Sequence, residues 1–64
     1  MMEEELRHFL RERGWNLSIR KRGKHKREYL YAQKWRCGDA YLGPLSKIEG
    51  ITKDHVLIQL EKAK

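Results

Sequence analysis

The side chains that could do covalent or metal chemistry are few and scattered along the 64-residue sequence. Cys37 is the single cysteine, and a standard zinc-site spacing would require histidines close to it or to one another. The three histidines, His8, His25 and His55, are instead widely separated. Glu28 is an isolated carboxylate among cations, which suits a cross-strand salt bridge better than acid–base catalysis. The sequence therefore predicts no catalytic residue, no metal site and no cofactor, and hence a protein that is not an enzyme.

Basic side chains are the most concentrated chemical feature of the sequence. Of the fifteen Lys and Arg residues, eight lie within residues 20–36, and Glu28 is the one acid there, whereas the chain as a whole carries a net charge of +6. These eight are Arg20, Lys21, Arg22, Lys24, Lys26, Arg27, Lys34 and Arg36. Solubility alone does not require such segregation of charge. We therefore expect a polyanionic partner, nucleic acid first and an acidic membrane surface second.

Two segments have the pattern of amphipathic helices. The first spans about residues 3–13, with glutamates in its first turn and Gly14 just past its end. The second spans about residues 53–62, with Thr52 as N-cap. Residues 45–51, between the last predicted strand and the second helix, form a loop with room for one helical turn.

Three segments between these helices alternate apolar and polar residues with a period of two, which is typical of half-buried strands. They span about residues 15–22, 27–35 and 39–43, separated by short turns that contain Gly23 and Gly38. Short connections favour an antiparallel meander. The predicted fold class is therefore α+β: a three-stranded antiparallel β-meander packed on N- and C-terminal helices, in the order α-β-β-β-α.

Alternation divides the strand residues into two faces. The predicted core face comprises Trp15, Leu17, Ile19, Leu30, Ala32, Ala40 and Leu42, covered by Leu6, Phe9, Leu10, Val56, Leu57 and Leu60 from the helices. The opposite face comprises Asn16, Ser18, Arg20, Arg22, Tyr29, Tyr31, Gln33, Trp35 and Tyr41. A register slip of one residue would exchange the faces, leaving the aliphatic face to meet a second subunit.

The polar and aromatic face beside the basic turn has the residue types of a nucleic-acid interface. We expect base or sugar contacts from Arg20, Arg22, Tyr31 and Gln33, and phosphate contacts from Lys21, Lys24, Lys26, Arg27, Lys34 and Arg36. Stacking on bases is expected from Tyr29, Tyr31, Trp35 and Tyr41. The sequence thus predicts nucleic-acid binding, with duplex DNA preferred over RNA.

Length and composition bound the remaining possibilities. The chain, residues 1–64, is long enough for one small basic domain, with 39% hydrophobic and 38% charged residues. It contains no apolar run of membrane-spanning length, and its acidic start is unlike a targeting segment. One cysteine excludes an internal disulfide and indicates a reducing compartment, so a cytoplasmic location is expected. Because a chain this small gains core by self-association, a homodimer is an open alternative.

The segment from Arg22 to Leu45, just over a third of the chain, resembles a known module. Its pattern is Arg22-Gly23-Lys24, then Tyr29-Leu30-Tyr31-Ala32-x-Lys34, then Tyr41-Leu42-Gly43-Pro44-Leu45. This resembles a short module of archaeal viruses, plasmids and related mobile elements, and is similar to the segment that precedes the catalytic domain in integrases of archaeal spindle-shaped viruses. The resemblance implies a DNA-associated accessory or regulatory module. Recombinase activity is not implied, since the catalytic domain has no counterpart here.

At the level of fold alone, a three-stranded sheet followed by a helix resembles the arm-type DNA-binding domains of some bacterial integrases and plant transcription factors, which place the sheet in the major groove. Two other functions remain open from the residues themselves. The aromatic face has the Tyr, Trp and Arg composition of protein–protein hot spots, which would suit a viral or plasmid adaptor or inhibitor. Stacking through Tyr29, Tyr31 and Trp35 would suit RNA.

Overall fold

The computed structural model describes residues 1–63, which form the predicted α+β fold. The elements are α1 (Glu3–Arg11), β1 (Asn16–Arg22), β2 (Arg27–Lys34), β3 (Gly38–Pro44), a 3-10 helix (Leu45–Gly50) and α2 (Lys53–Lys62). The α-β-β-β-α order is therefore confirmed, including the helical turn between β3 and α2. Residue 64 of the predicted 1–64 domain lies outside the described residues.

The local sequence at the end of α1 determines how the chain leaves this helix and enters β1. Gly14 adopts a φ of 81°, and its N–H donates to the Arg11 carbonyl. The Trp15 N–H donates to the Leu10 carbonyl, which completes a Schellman motif with the buried Leu10 and Trp15 side chains at its two ends. The helix thus ends at Arg11, two residues before the predicted boundary, and residues 12–14 form the closing turn.

The three strands form an antiparallel meander with β2 in the centre. β1 pairs with β2 without interruption from Asn16↔Gln33 to Arg22↔Arg27. The β2–β3 register shifts once, because Leu30 is opposite Gly43 while Tyr31 is opposite Tyr41. Leu42 is therefore the extra residue of a β-bulge, which keeps Leu42 in the core and Tyr41 on the open face.

The helix α2 is attached to the sheet at this bulge. The His55 ring lies with Nε2 2.8 Å from the Leu42 carbonyl oxygen, so this imidazole N–H donates to a carbonyl that the irregular ladder leaves available. At the start of the same helix, the Thr52 hydroxyl accepts a hydrogen bond from the His55 N–H, as expected for an N-cap. His55 therefore links the helix start to β3, a role that its exposed position on the helix did not reveal.

The core lies between the two helices and one face of the sheet. Leu6 and Leu10 of α1, Leu30 of β2 and Val56 of α2 are completely buried. Leu17 and Ile19 of the edge strand β1 are half-buried and pack against this core. The predicted aliphatic face is therefore the core, and the opposite face is uncovered by other elements.

One predicted core residue was wrong, and one core residue was missed. Leu57 is 40% exposed, because Val56 and Leu60 occupy the sheet-facing side of α2 and Leu57 lies at its margin beside Trp15. Ile51, which was not predicted, is buried against the core between the 3-10 helix and α2. A single residue between helices belongs to no periodic pattern, so alternation could not identify it.

Replacing Leu30 with alanine should destabilise the protein severely. Leu30 is completely buried at the centre of the sheet, and removing its side chain leaves a cavity that costs about 2–5 kcal/mol. For a chain of this size that is a large part of the total free energy of unfolding. Ile58→Ala is the matched control, since Ile58 is 53% exposed on α2 and should change the free energy of unfolding by less than about 0.5 kcal/mol. Urea denaturation measures both, and equal effects would contradict the proposed core.

Candidate nucleic-acid interface

The uncovered face of the sheet collects the residues that alternate with the core. In register across the strands, Arg22 is opposite Arg27, Arg20 is opposite Tyr29, Ser18 is opposite Tyr31, and Asn16 is opposite Gln33. On the other side of β2, Tyr31 is opposite Tyr41 and Gln33 is opposite Asp39. We call this set the open face. It presents hydrogen-bonding and aromatic side chains over the whole width of the sheet.

Three tyrosines form a cluster on the open face. The Tyr41 ring centroid lies 5.4 Å from that of Tyr31 and 6.1 Å from that of Tyr29, with both ring pairs tilted by more than 50°. Tilted rings at these distances attract each other edge to face. The cluster therefore fixes the surface shape of the open face, with Tyr41 its most exposed member at 46%.

Tyr31 lies beneath other side chains rather than at the surface. The residue is 7% exposed, with the Arg20 Cζ atom 4.7 Å and the Arg22 Cζ atom 5.3 Å from its ring centroid. Such cation–π contacts hold the two guanidinium groups over the ring. The expectation that Tyr31 itself stacks on a base or touches a sugar is therefore revised, because two arginines and Tyr41 cover it. Tyr31 supports the groups that reach the surface.

An ion pair crosses the open face from one edge strand to the other. Arg20 on β1 extends over β2, and its Nη1 atom donates to Oδ2 of Asp39 on β3 at 2.7 Å. This hydrogen bond, reinforced by the opposite charges, holds the pKa of Asp39 below its ordinary value and raises the pKa of Arg20. Asp39 was not among the predicted site residues, because alternation places it on the open face but does not show that a long arginine spans two strand spacings.

The β1–β2 turn extends the positive charge past the sheet. Lys24, His25 and Lys26 are exposed in this turn, and Arg22 and Arg27 flank it as a cross-strand pair. Like charges opposite each other repel, so the Arg22–Arg27 pair itself does not stabilise the pairing of the two strands. We refer to Arg22, Lys24, Lys26 and Arg27 as the basic hairpin.

The β2–β3 turn displays the most exposed aromatic residue of the protein. Trp35 is 84% exposed and lies in the turn, so β2 ends one residue before the predicted boundary. Its neighbour Arg36 has a φ of 66°, a left-handed conformation that costs most non-glycine residues about 1 kcal/mol or more. The turn therefore presents Trp35 and Arg36 together at the end of the sheet opposite the basic hairpin.

Two of the predicted phosphate-contacting lysines do not lie on the open face. Lys34 has the core-side alternation of Leu30 and Ala32, and its Nζ atom lies 5.6 Å from the centroid of the buried Trp15 ring. Lys21, in register with Glu28, also has core-side alternation but is exposed. A ligand lying flat on the open face would therefore not meet these two side chains directly.

The geometry of residues 1–63 does not support a metal site or a membrane-spanning helix. Within this range, no three His, Cys, Asp or Glu side chains are grouped so that they could hold a metal ion. Likewise, none of the helices described is long and apolar enough to cross a membrane. The free Cys37 is exposed in the β2–β3 turn. The open face and its two turns are thus the surface with the most distinctive chemistry.

Comparisons with known proteins add no relative. No family model matches the sequence, and no similar curated protein or solved structure was found. The resemblance of residues 22–45 to modules of archaeal mobile elements therefore stays a prediction from the motif alone. The function of the open face has to be argued from its own geometry and charge.

Replacing Arg36 with glycine should increase the free energy of unfolding by about 0.5–1 kcal/mol, because glycine adopts a φ of 66° without steric cost. Lys24→Gly in the other turn is the control. Lys24 is not among the residues with positive φ, so glycine relieves no strain there and only adds conformational freedom to the unfolded chain. Thermal denaturation compares the two variants. A destabilised Arg36→Gly variant would contradict the assigned turn geometry.

The carboxyl group of Asp39 should titrate at a lower pH than an ordinary aspartate. Because its pKa is lowered in the folded state, its contribution to stability is present above the ordinary carboxyl pKa and is lost as the pH falls through the folded value. Arg20→Ala should return the Asp39 pKa towards the ordinary range, whereas Arg11→Ala should not. Carbon-detected NMR of the carboxyl group measures each titration. An unchanged Asp39 pKa in Arg20→Ala would show that the ion pair does not form in solution.

Proposed function

We propose that this protein is a small nucleic-acid-binding protein that binds duplex DNA through the open face and the basic hairpin, in an accessory or regulatory role. The observation that carries this proposal is the placement of charge. The cations of the basic hairpin adjoin the one sheet face that no helix covers. Lys and Arg side chains at such a place neutralise phosphates and release the counterions condensed on DNA.

The dimensions of the sheet favour duplex DNA. Neighbouring strands lie about 4.8 Å apart, so the outer backbones of three strands are separated by roughly 10 Å. The major groove of B-DNA is about 12 Å wide and admits a two-stranded β-ribbon, whereas the major groove of A-form RNA is deep and too narrow for side chains to read. With the sheet in the groove, its centre faces base edges, and the two turns at its ends reach the backbone.

The tyrosine arrangement argues against single-stranded RNA as the first choice. Recognition of unpaired bases needs accessible aromatic faces. Tyr31 is covered and Tyr29 is half-buried in the cluster, which leaves Tyr41 and Trp35 as the exposed rings of this surface. These two lie on the sheet and in the turn beyond it rather than forming a continuous stacking platform.

A second candidate function is a protein–protein interaction module. The observation that favours it is Trp35, which is 84% exposed beside an arginine. Tryptophan, tyrosine and arginine dominate the hot spots of protein interfaces. A pulldown that recovers one specific protein after nuclease treatment, together with no binding to any nucleic acid, would favour this function over DNA binding.

The proposal predicts steep salt dependence. The sequence predicted base or sugar contacts for Arg22, but it is exposed opposite Arg27 beside the β1–β2 turn, and we therefore assign it to phosphate. With Lys24, Lys26, Arg27 and Arg36, five cations are then expected to contact phosphates. Each neutralised phosphate contributes about −0.9 to the slope of log affinity against log salt. The slope on duplex DNA should therefore be about −4.5. Fluorescence anisotropy with a labelled duplex measures it over a range from low to physiological salt. Binding that is indifferent to salt would contradict the proposal.

Two triple variants test whether DNA binding depends on where the positive charge lies or only on how much of it the protein carries. Arg22→Ala/Lys24→Ala/Lys26→Ala removes three cations from the basic hairpin and should reduce the slope to about −1.8. The control, Arg7→Ala/Arg11→Ala/Lys62→Ala, removes the same charge from the exposed faces of α1 and α2 and should leave the slope near the wild-type value. If the two triple variants lose affinity equally, the basic hairpin is not the binding site.

A further inference from the structure

The ion pair between Arg20 and Asp39 distinguishes one arginine of the open face from the others, and the role inferred for it rests on the proposed function. The Arg20 guanidinium lies over the Tyr31 ring of the central strand, and Asp39 reaches it from the end of β3 beside the β2–β3 turn. Among the ion pairs found in residues 1–63, none involves Arg22 or Arg27. The open face thus has unneutralised cations at the basic hairpin and an electroneutral pair at its centre.

An electroneutral pair is a poor phosphate ligand. A phosphate that approached Arg20 would also meet the Asp39 carboxylate, whose oxygen lies 2.7 Å from the guanidinium nitrogen. The phosphate and the Asp39 carboxylate would carry like charges and repel each other, and the hydrogen bond from Arg20 lowers the pKa of Asp39 still further below neutral pH. The centre of the open face therefore disfavours the DNA backbone and tolerates a neutral ligand.

The pair nevertheless retains strong hydrogen-bonding capacity. A guanidinium group has five N–H donors in a planar fork, and the bond to Asp39 uses one of them. The Tyr31 ring 4.7 Å from Cζ and the Asp39 carboxylate fix the position of the group from two directions. The Arg20 side chain is 34% exposed, so part of it remains available to a ligand. A pre-positioned fork loses less conformational entropy when it binds.

We propose that Arg20, positioned by Asp39, reads guanine in the major groove. Guanine presents two neutral acceptors there, O6 and N7, which match an arginine fork and make up the commonest specific contact of proteins with DNA. Adenine and thymine each present one acceptor, and cytosine presents a donor. In this arrangement Arg20 contributes specificity, Asp39 is a positioning residue, and the basic hairpin contributes affinity that is independent of sequence.

The first experiment selects the duplexes that the protein binds from a library with a randomised central segment. The second measures the affinity of the protein for a selected duplex and for the same duplex with its guanines replaced. The wild-type protein should enrich guanine and prefer the selected duplex by about tenfold. Arg20→Lys keeps the charge but loses the fork, so it should abolish this preference while leaving the salt slope unchanged. Arg11→Lys is the matched control and should keep the preference, since Arg11 is exposed on α1 and lies outside the open face and the basic hairpin.

Asp39→Asn tests the positioning role with a readout that a merely structural role would not change. Freeing Arg20 should raise affinity for the guanine-free duplex and steepen the salt slope by about 0.9, while the guanine preference falls. Circular dichroism confirms that each variant is folded. If Arg20→Lys retains the wild-type preference, or if binding is salt-dependent without any preference for guanine, the inference is overturned and the proposed function stands. If no duplex binds at all, both are overturned.

Discussion

Burial of one face only of a three-stranded sheet is the constraint on which the rest of this structure depends. Strand side chains alternate, so covering Leu30, Ala32, Ala40 and Leu42 with two helices obliges their neighbours to lie on the other face. The bulge at Leu42 preserves this separation where β3 turns towards α2. Because no further element among residues 1–63 covers the second face, its polar and aromatic residues stay open to a ligand.

The charged side chains of this surface are of two kinds: exposed cations in the basic hairpin, and an arginine paired with a carboxylate on the open face. The cations of the basic hairpin are exposed to solvent and available to an anion. Arg20, by contrast, is neutralised by Asp39 and supported by Tyr31 at the centre of the face. Under the proposed function, charge at the ends would hold the DNA backbone and a fixed fork at the centre would select a base. The same sheet then supplies both affinity and specificity.

Much of this architecture could be predicted from the sequence, because it depends on local rules. The alternation through Leu17 and Ile19, the N-cap Thr52 and the glycine that ends α1 each determine an element without reference to the remainder of the chain. Contacts between distant elements could not be predicted this way. The reach of Arg20 across two strand spacings to Asp39 and the covering of Tyr31 both depend on packing in three dimensions. Alternation implied that Lys34 lies on the core side of the sheet, but its positive charge led to its assignment as a phosphate contact.

The central claim is that the open face and the basic hairpin form one binding surface for duplex DNA. The most direct measurement is an NMR titration of the isotopically labelled protein with a short duplex, with duplex RNA and single strands as comparisons. We expect shifts in the amides of β1, β2, β3 and both turns, largest with duplex DNA, and small shifts in α1 and α2. Shifts confined to α1 and α2, or no shifts with any nucleic acid, would contradict the claim.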